Sequence, residues 1–148
     1  MANQVVLITG ASSGIGKSIG EFLAQKGYKV YGTSRNPKTT KANGIHFVAL
    51  DVTKVETITA AVEQIIAAEG KIDFLINNAG MGITGPIEEI PDAEIRKVFD
   101  TNYFGVINVI KAVLPFMRKQ GDGFIINITS IAGYMGLPYR GIYSATKG

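Results

Sequence analysis

A short apolar run, Val5-Val6-Leu7-Ile8, passes directly into a glycine-rich turn, Thr9-Gly10-Ala11-Ser12-Ser13-Gly14-Ile15-Gly16, and then into Ile15, Ile19, Phe22 and Leu23. The first set is β-branched and of strand length, and the last has the spacing of one helix face. That succession commits the start of the chain to a strand, a tight loop and a helix. Gly27 is a natural left-handed stop for the helix, and a second strand is expected from about Tyr28 to Thr33.

The alternation continues. Ile45 to Leu50 reads as a third strand. Thr53 and Glu56 form a capping box before a helix whose Val55, Ile58, Val62, Ile65 and Ile66 share one face, and Gly70 closes it. Ile72 to Ile76 is the expected fourth strand, about Asp92 to Arg118 a long helix, and Phe124 to Ile128 a fifth strand. Alternating strands and helices build a parallel sheet covered on both faces, and the strands are apolar throughout, as double coverage requires. The expected fold is therefore α/β, an open doubly wound parallel sheet of Rossmann-like type, in a single domain over residues 1–148. A full dinucleotide-binding sheet has about six strands, so this one is expected to stop short after its fifth.

Composition removes several chemistries. There is no Cys, which excludes thiol nucleophiles, Cys-based zinc sites and disulfides. The single histidine, His46, cannot build a His-rich metal site, and its place near the third strand reads as structural. No metal is expected. The net charge is +3, but the 15 basic and 12 acidic residues are mostly interleaved, so no nucleic-acid-binding stripe is indicated. Lys26, Lys29, Arg35, Lys38 and Lys41 share a stretch without an acidic residue; the lysines read as solubilising. No apolar run approaches the roughly 20 residues of a membrane span, and the N-terminal Met-Ala-Asn-Gln lacks a basic leader, so a soluble, cytoplasmic protein is expected. The helix near 92–118 has more apolar surface than one core stripe needs, and is expected to meet another helix, as in a homo-oligomer.

Two places carry chemistry on physical grounds. The turn from Thr9 to Gly16 can receive a pyrophosphate on its backbone amides and on the helix N-terminus, with Gly10 for the turn, Gly14 for close approach and Gly16 for helix packing. At the end of the second strand, where NAD-binding folds place a carboxylate on the ribose, Ser34-Arg35 stands instead. A guanidinium can grip a 2′-phosphate, so NADP(H) is favoured over NAD(H). Near the C-terminus, Tyr143 and Lys147 are four residues apart, on one helix face. A phenol ionises near pH 10. An ammonium roughly 4 Å away, at an effective dielectric near 20, is worth about 4 kcal/mol, close to three pK units, which brings a phenol so placed towards neutrality.

Taken in order, Thr9 to Gly16, Asn77-Asn78-Ala79-Gly80 after the fourth strand, Asn102 in the long helix, Ser130 after the fifth strand and Tyr143-x-x-x-Lys147 make the chain resemble the short-chain dehydrogenase/reductase family. The resemblance runs from Val5 to Lys147. It implies that Tyr143 exchanges a proton with the substrate oxygen, that Ser130 hydrogen-bonds that oxygen, and that Lys147 tunes the tyrosine and holds the nicotinamide ribose. It implies further that Asn102 positions a relay water, that Asp51 and Val52 contact the adenine, and that Asn77 to Gly80 steady the sheet beside the cofactor. The implied reaction is hydride transfer between nicotinamide and a carbonyl or secondary alcohol, with Tyr134, Met135, Leu137 and Pro138 as an apolar wall for the substrate.

Only six residues run from Tyr143 to Gly148, and so short a helix is marginal on its own. With an uncovered last strand beside it, little turnover and a tendency to associate are expected of this chain by itself. A dinucleotide-binding fragment or module without catalysis stays open as the alternative.

Overall fold

A computed structural model describes residues 3–148. The chain runs β1 (Val5–Ile8), α1 (Gly14–Gln25), β2 (Lys29–Ser34), β3 (Lys41–Ala42), β4 (Ile45–Ala49), α2 (Val55–Glu69), β5 (Phe74–Asn77), α3 (Asp92–Phe99), α4 (Gly105–Gln120), β6 (Phe124–Asn127) and α5 (Gly141–Lys147). A widened π turn over Asp100–Phe104 joins α3 to α4, so the expected long helix exists but carries an irregularity at its centre.

The sheet order is β3-β4-β2-β1-β5-β6. Five strands are parallel, as expected, and the sixth is the two-residue β3, antiparallel to β4. The expected count of five therefore omits one edge strand. It forms because Asn43 and Gly44 both take positive φ, 52° and 84°, the conformation of a tight hairpin turn. Strand order reverses between β1 and β5, so a crevice opens at the carboxyl ends of these two strands.

Alternate side chains of β1 serve two cores. Val5 and Leu7 pack with α2 and α4 through Ile58, Val62, Ile65, Val109 and Val113. Val6 and Ile8 face α1 through Ile19 and Leu23. This is why the strand is apolar at every position rather than at every second one. On the α1 side the cover is incomplete at the sheet edge, where Phe124 is 63% and Ile126 41% exposed.

Two local expectations are corrected. The fourth parallel strand starts at Phe74 rather than Ile72, because Asp73 turns back to receive the Val5 N–H on its carboxylate at 2.8 Å. The Thr53–Glu56 capping box does not form: Lys54 precedes the helix without a side-chain cap. Thr53 instead donates its amide (2.9 Å) and hydroxyl (2.6 Å) to Asp51, a charged acceptor two residues away.

Candidate active site

The glycine turn is sewn to the strands on either side of it. Thr9, buried at the end of β1, accepts the amides of Asn78 and Ala79 on one hydroxyl oxygen, each at 3.0 Å. On the other side the Gly10 amide donates to the Thr33 hydroxyl and the Ala11 amide to the Thr33 carbonyl. Gly10 has φ 67°, and a Cβ there would meet the Ala79 backbone at 3.0 Å. Asn78 donates its side-chain amide to the Gly10 carbonyl at 2.9 Å, and a Cβ on Gly16 would overlap both of those groups.

A groove of about 1300 Å³ lies over this turn. Gly10, Ser12, Ser13, Ser34, Arg35, Asp51, Val52, Asn78, Ala79 and Gly80 line it, so ten of the sequence-predicted cofactor residues converge there. Thr9, Gly14, Ile15 and Gly16 lie behind or beside it, as the frame of the turn and the first residues of α1. Sequence reasoning missed a basic wall of Lys54, Arg96 and Lys97, supplied by the loop before α2 and by α3. A separate hollow of about 490 Å³ over Asp92, Ile95 and Phe99 holds none of the expected site residues.

Two observations show where the groove could meet an anion. Ser13 makes no side-chain cap bond and the first turn of α1 has no acidic residue, so the helix N-terminus is open to an anion. Arg35, on the rim, is in no ion pair among the described residues. Asp51, across the groove, is held below the ordinary carboxylate range chiefly by its hydrogen bonds from Thr53, against some desolvation, with Lys54 and Arg35 adding favourable charge.

Gly80 joins the groove to the second cluster. A Cβ on Gly80 would lie 3.2 Å from Asn102 Oδ1 and 3.3 Å from Lys147 Nζ, so a side chain here would press these groups back by a few tenths of an ångström. Lys147 donates to the Ile128 carbonyl at 3.2 Å, tying α5 to the end of β6. Asn102 is buried in the π turn, accepts the Met81 amide at 2.8 Å, and donates to the Met81 carbonyl and the Thr146 hydroxyl at 2.8 and 3.0 Å. Both ends of its amide are thus engaged by protein groups.

Ser130 follows β6 and accepts the Ala132 amide at 3.2 Å, starting a short turn over Ile131–Gly133. That turn packs on the end of α5, since a Cβ on Gly133 would strike the Lys147 carbonyl. Tyr143 is in the first turn of α5, and the Arg140 guanidinium lies over its ring, 4.5 Å from the ring centre. Sequence reasoning missed Arg140. Tyr134, Met135 and Leu137 are exposed, with Ile87, Ile131 and Tyr139, on the loops beside Tyr143. No helix among the described residues is long and apolar enough to cross a membrane, and no group of His, Asp and Glu residues there could hold a metal ion. His46 stacks on Tyr31 at 5.3 Å, far along the sheet from these loops.

Comparison with known proteins gives the same picture. The family model described as short chain dehydrogenase matches residues 4–148. A 3-ketodihydrosphingosine reductase of Bacteroides thetaiotaomicron is 51% identical over 147 residues, 99% of this chain and 54% of that protein. A solved short-chain dehydrogenase of Streptomyces avermitilis superposes with a TM-score of 0.91 at 36% identity, covering 97% of this chain and 55% of the other. ElxO with NADP bound superposes at 0.91 with 34% identity, covering 98% and 62%. The chain thus spans about half the length of the curated relative and little more of the solved ones.

Proposed function

The chain belongs to the short-chain dehydrogenase family, and from that premise we propose that it is the nucleotide-binding and catalytic portion of an NADP(H)-dependent oxidoreductase acting on a carbonyl or secondary alcohol. The observation that carries this reading is the groove that begins at the glycine turn and Arg35 and ends at Gly80, against Lys147 and Asn102. When bound, NADP(H) supplies or accepts the hydride.

The chain's own residues do the rest. Ser12, Ser13 and the amides opening α1 hold the pyrophosphate, and Ser34 with Arg35 takes the 2′-phosphate. Asp51 and Val52 flank the adenine, while Asn78, Ala79 and Gly80 form the floor. Tyr143 gives a proton to the substrate oxygen in reduction and removes it in oxidation, and Ser130 donates a hydrogen bond to that oxygen. Lys147, fixed on Ile128 beside Gly80, reaches the ribose next to the nicotinamide. Asn102 acts as a positioning residue: it sets the height of α5 through Thr146, and any relay water is left to the backbone of its widened turn.

Among carbonyl substrates we favour 3-ketodihydrosphingosine, in the name of the 51%-identical Bacteroides protein. The exposed apolar side chains of Tyr134, Met135, Leu137 and Tyr139 support an apolar substrate. The test is loss of NADPH absorbance with that ketone, in wild type and Tyr143→Phe. A 10²–10⁴-fold lower kcat in the variant is expected on the scale of general acid catalysis, about 3–5 kcal/mol. Equal rates would remove Tyr143 from the role.

A further inference from the structure

Arg140 stands at the reacting phenol and is not needed for any step given above. It precedes α5, and its backbone carbonyl accepts the Ser144 amide at 2.8 Å, so its Cα is fixed by the first turn of that helix. Tyr139 before it takes φ 62°, rare and costly for an aromatic residue, and its carbonyl is held by the Gly85 amide at 2.9 Å. The loop after β5 and the loop before α5 are thereby joined, and the join sets where the Arg140 side chain starts.

The guanidinium itself is under-used. Among the described residues its one side-chain hydrogen bond is from Nη1 to the Thr84 hydroxyl at 3.0 Å. Its Nε is shielded from water and has no acceptor. Among the described residues no carboxylate pairs with it, and no acidic residue occurs from Gly123 to Gly148. Nη2 looks onto Gly82, where no side chain is present to receive it. A half-buried cation with spare donors costs free energy unless something meets it, and planar, forked donors suit oxygen acceptors.

Resting on the oxidoreductase reading above, we infer that Arg140 is a specificity-determining residue: it receives an oxygen substituent carried by the substrate close to the carbonyl that Tyr143 serves. The guanidinium lies over the Tyr143 ring, 4.5 Å from its centre, so the favoured substituent sits a few bonds from the reacting carbon. Thr84 acts as a brace, holding the fork level. The apolar side chains at Tyr134, Met135 and Leu137 then take the rest of the molecule, which makes the preferred substrate amphipathic, polar beside the ketone and apolar beyond it.

The experiment compares 3-oxodecanoate, 1-hydroxydecan-3-one and decan-3-one, equal in chain length, with wild type, Arg140→Met, Arg140→Lys and Thr84→Val. Wild type is expected to prefer an oxygen-bearing ketone over decan-3-one by at least tenfold in kcat/KM. The carboxylate arm leading points to an acid as the natural substituent, and the hydroxyl arm to an alcohol. In Arg140→Met the preference collapses towards unity, through KM; Arg140→Lys keeps part of it; Thr84→Val lowers it. Calorimetric binding of the same three compounds to the NADP-loaded protein reads the same ratios without turnover. Discrimination in binding with no NADPH consumption would sink the oxidoreductase reading and leave Arg140 in its role. A wild type that does not discriminate, or an Arg140→Met variant that still does, overturns the inference itself.

Discussion

Asn102 donates a hydrogen bond of 3.0 Å to Thr146, a residue 44 positions later in the chain and the immediate neighbour of Lys147. The same amide brackets Met81 on both its N–H and its C=O. Three segments remote in sequence are fastened by one buried side chain, and the height of α5 over the sheet depends on it.

Replacing Asn102 with Ala leaves two partly buried backbone groups of Met81 and the buried Thr146 hydroxyl without that partner. Each unmet buried group costs about 1–3 kcal/mol. Thermal and urea unfolding should show a loss of a few kcal/mol, and a double-mutant cycle with Thr146→Val should give a non-zero coupling. Additivity of the two substitutions would mean that the bond does not hold α5.

At the groove rim, Arg35→Ala removes a charge-assisted grip worth about 1.5–3 kcal/mol. NADPH should bind about 10- to 100-fold more weakly, while NADH binding stays within about twofold, as measured by calorimetry. A parallel loss for both nucleotides would place Arg35 away from the 2′-phosphate.

Gly16→Ala should be far more damaging than its single added methyl suggests. The new Cβ would overlap the Gly10 carbonyl and the Asn78 amide, so the turn and β5 must part. The expected outcome is loss of dinucleotide binding together with a lowered melting temperature. Gly14→Ala, which meets open space, is strained only by its φ of 59° and should cost about 1 kcal/mol.

Stability should fall at both ends of the pH range, for separate reasons. Burial, aided by Lys29 and Lys41, lowers the His46 pKa below 6.5. The unfolded chain therefore takes up this proton first, and stability declines as pH drops below about 6.5. Tyr31 is pushed up to about 12 by burial and by its 2.5 Å hydrogen bond to Glu69. Its contribution is complete below pH 10 and is lost as pH rises towards 12. Urea titrations of His46→Gln and Tyr31→Phe against wild type should each flatten one limb; unchanged limbs would clear these residues.

The parallel strands and most of the groove were legible because their causes are local. Val5 to Ile8 is apolar at every position since helices cover both faces, and the Thr9 to Gly16 turn needs only its own glycines and neighbours. The hairpin at Asn43-Gly44 was missed, because its flanking strand is only two residues long and offers no period. Arg140 was not legible either, because what defines it is a hydroxyl 56 residues away and the ring it covers. The capping box failed for a similar reason, as no pattern of spacing tells whether the Thr53 hydroxyl will accept a helix amide or donate to Asp51.

Thr9 binds two successive amides with a single oxygen, and Thr33 clamps the opposite flank of the same turn. The glycine turn and the Asn78-Ala79 segment beside it are consequently one framework, and a change in the bend is felt after β5 as well. On the proposed reading, retargeting this scaffold to another coenzyme is a matter for Ser34 and Arg35, whose side chains are in no ion pair among the described residues, whereas redesign of the glycine bend would disturb its neighbours as well.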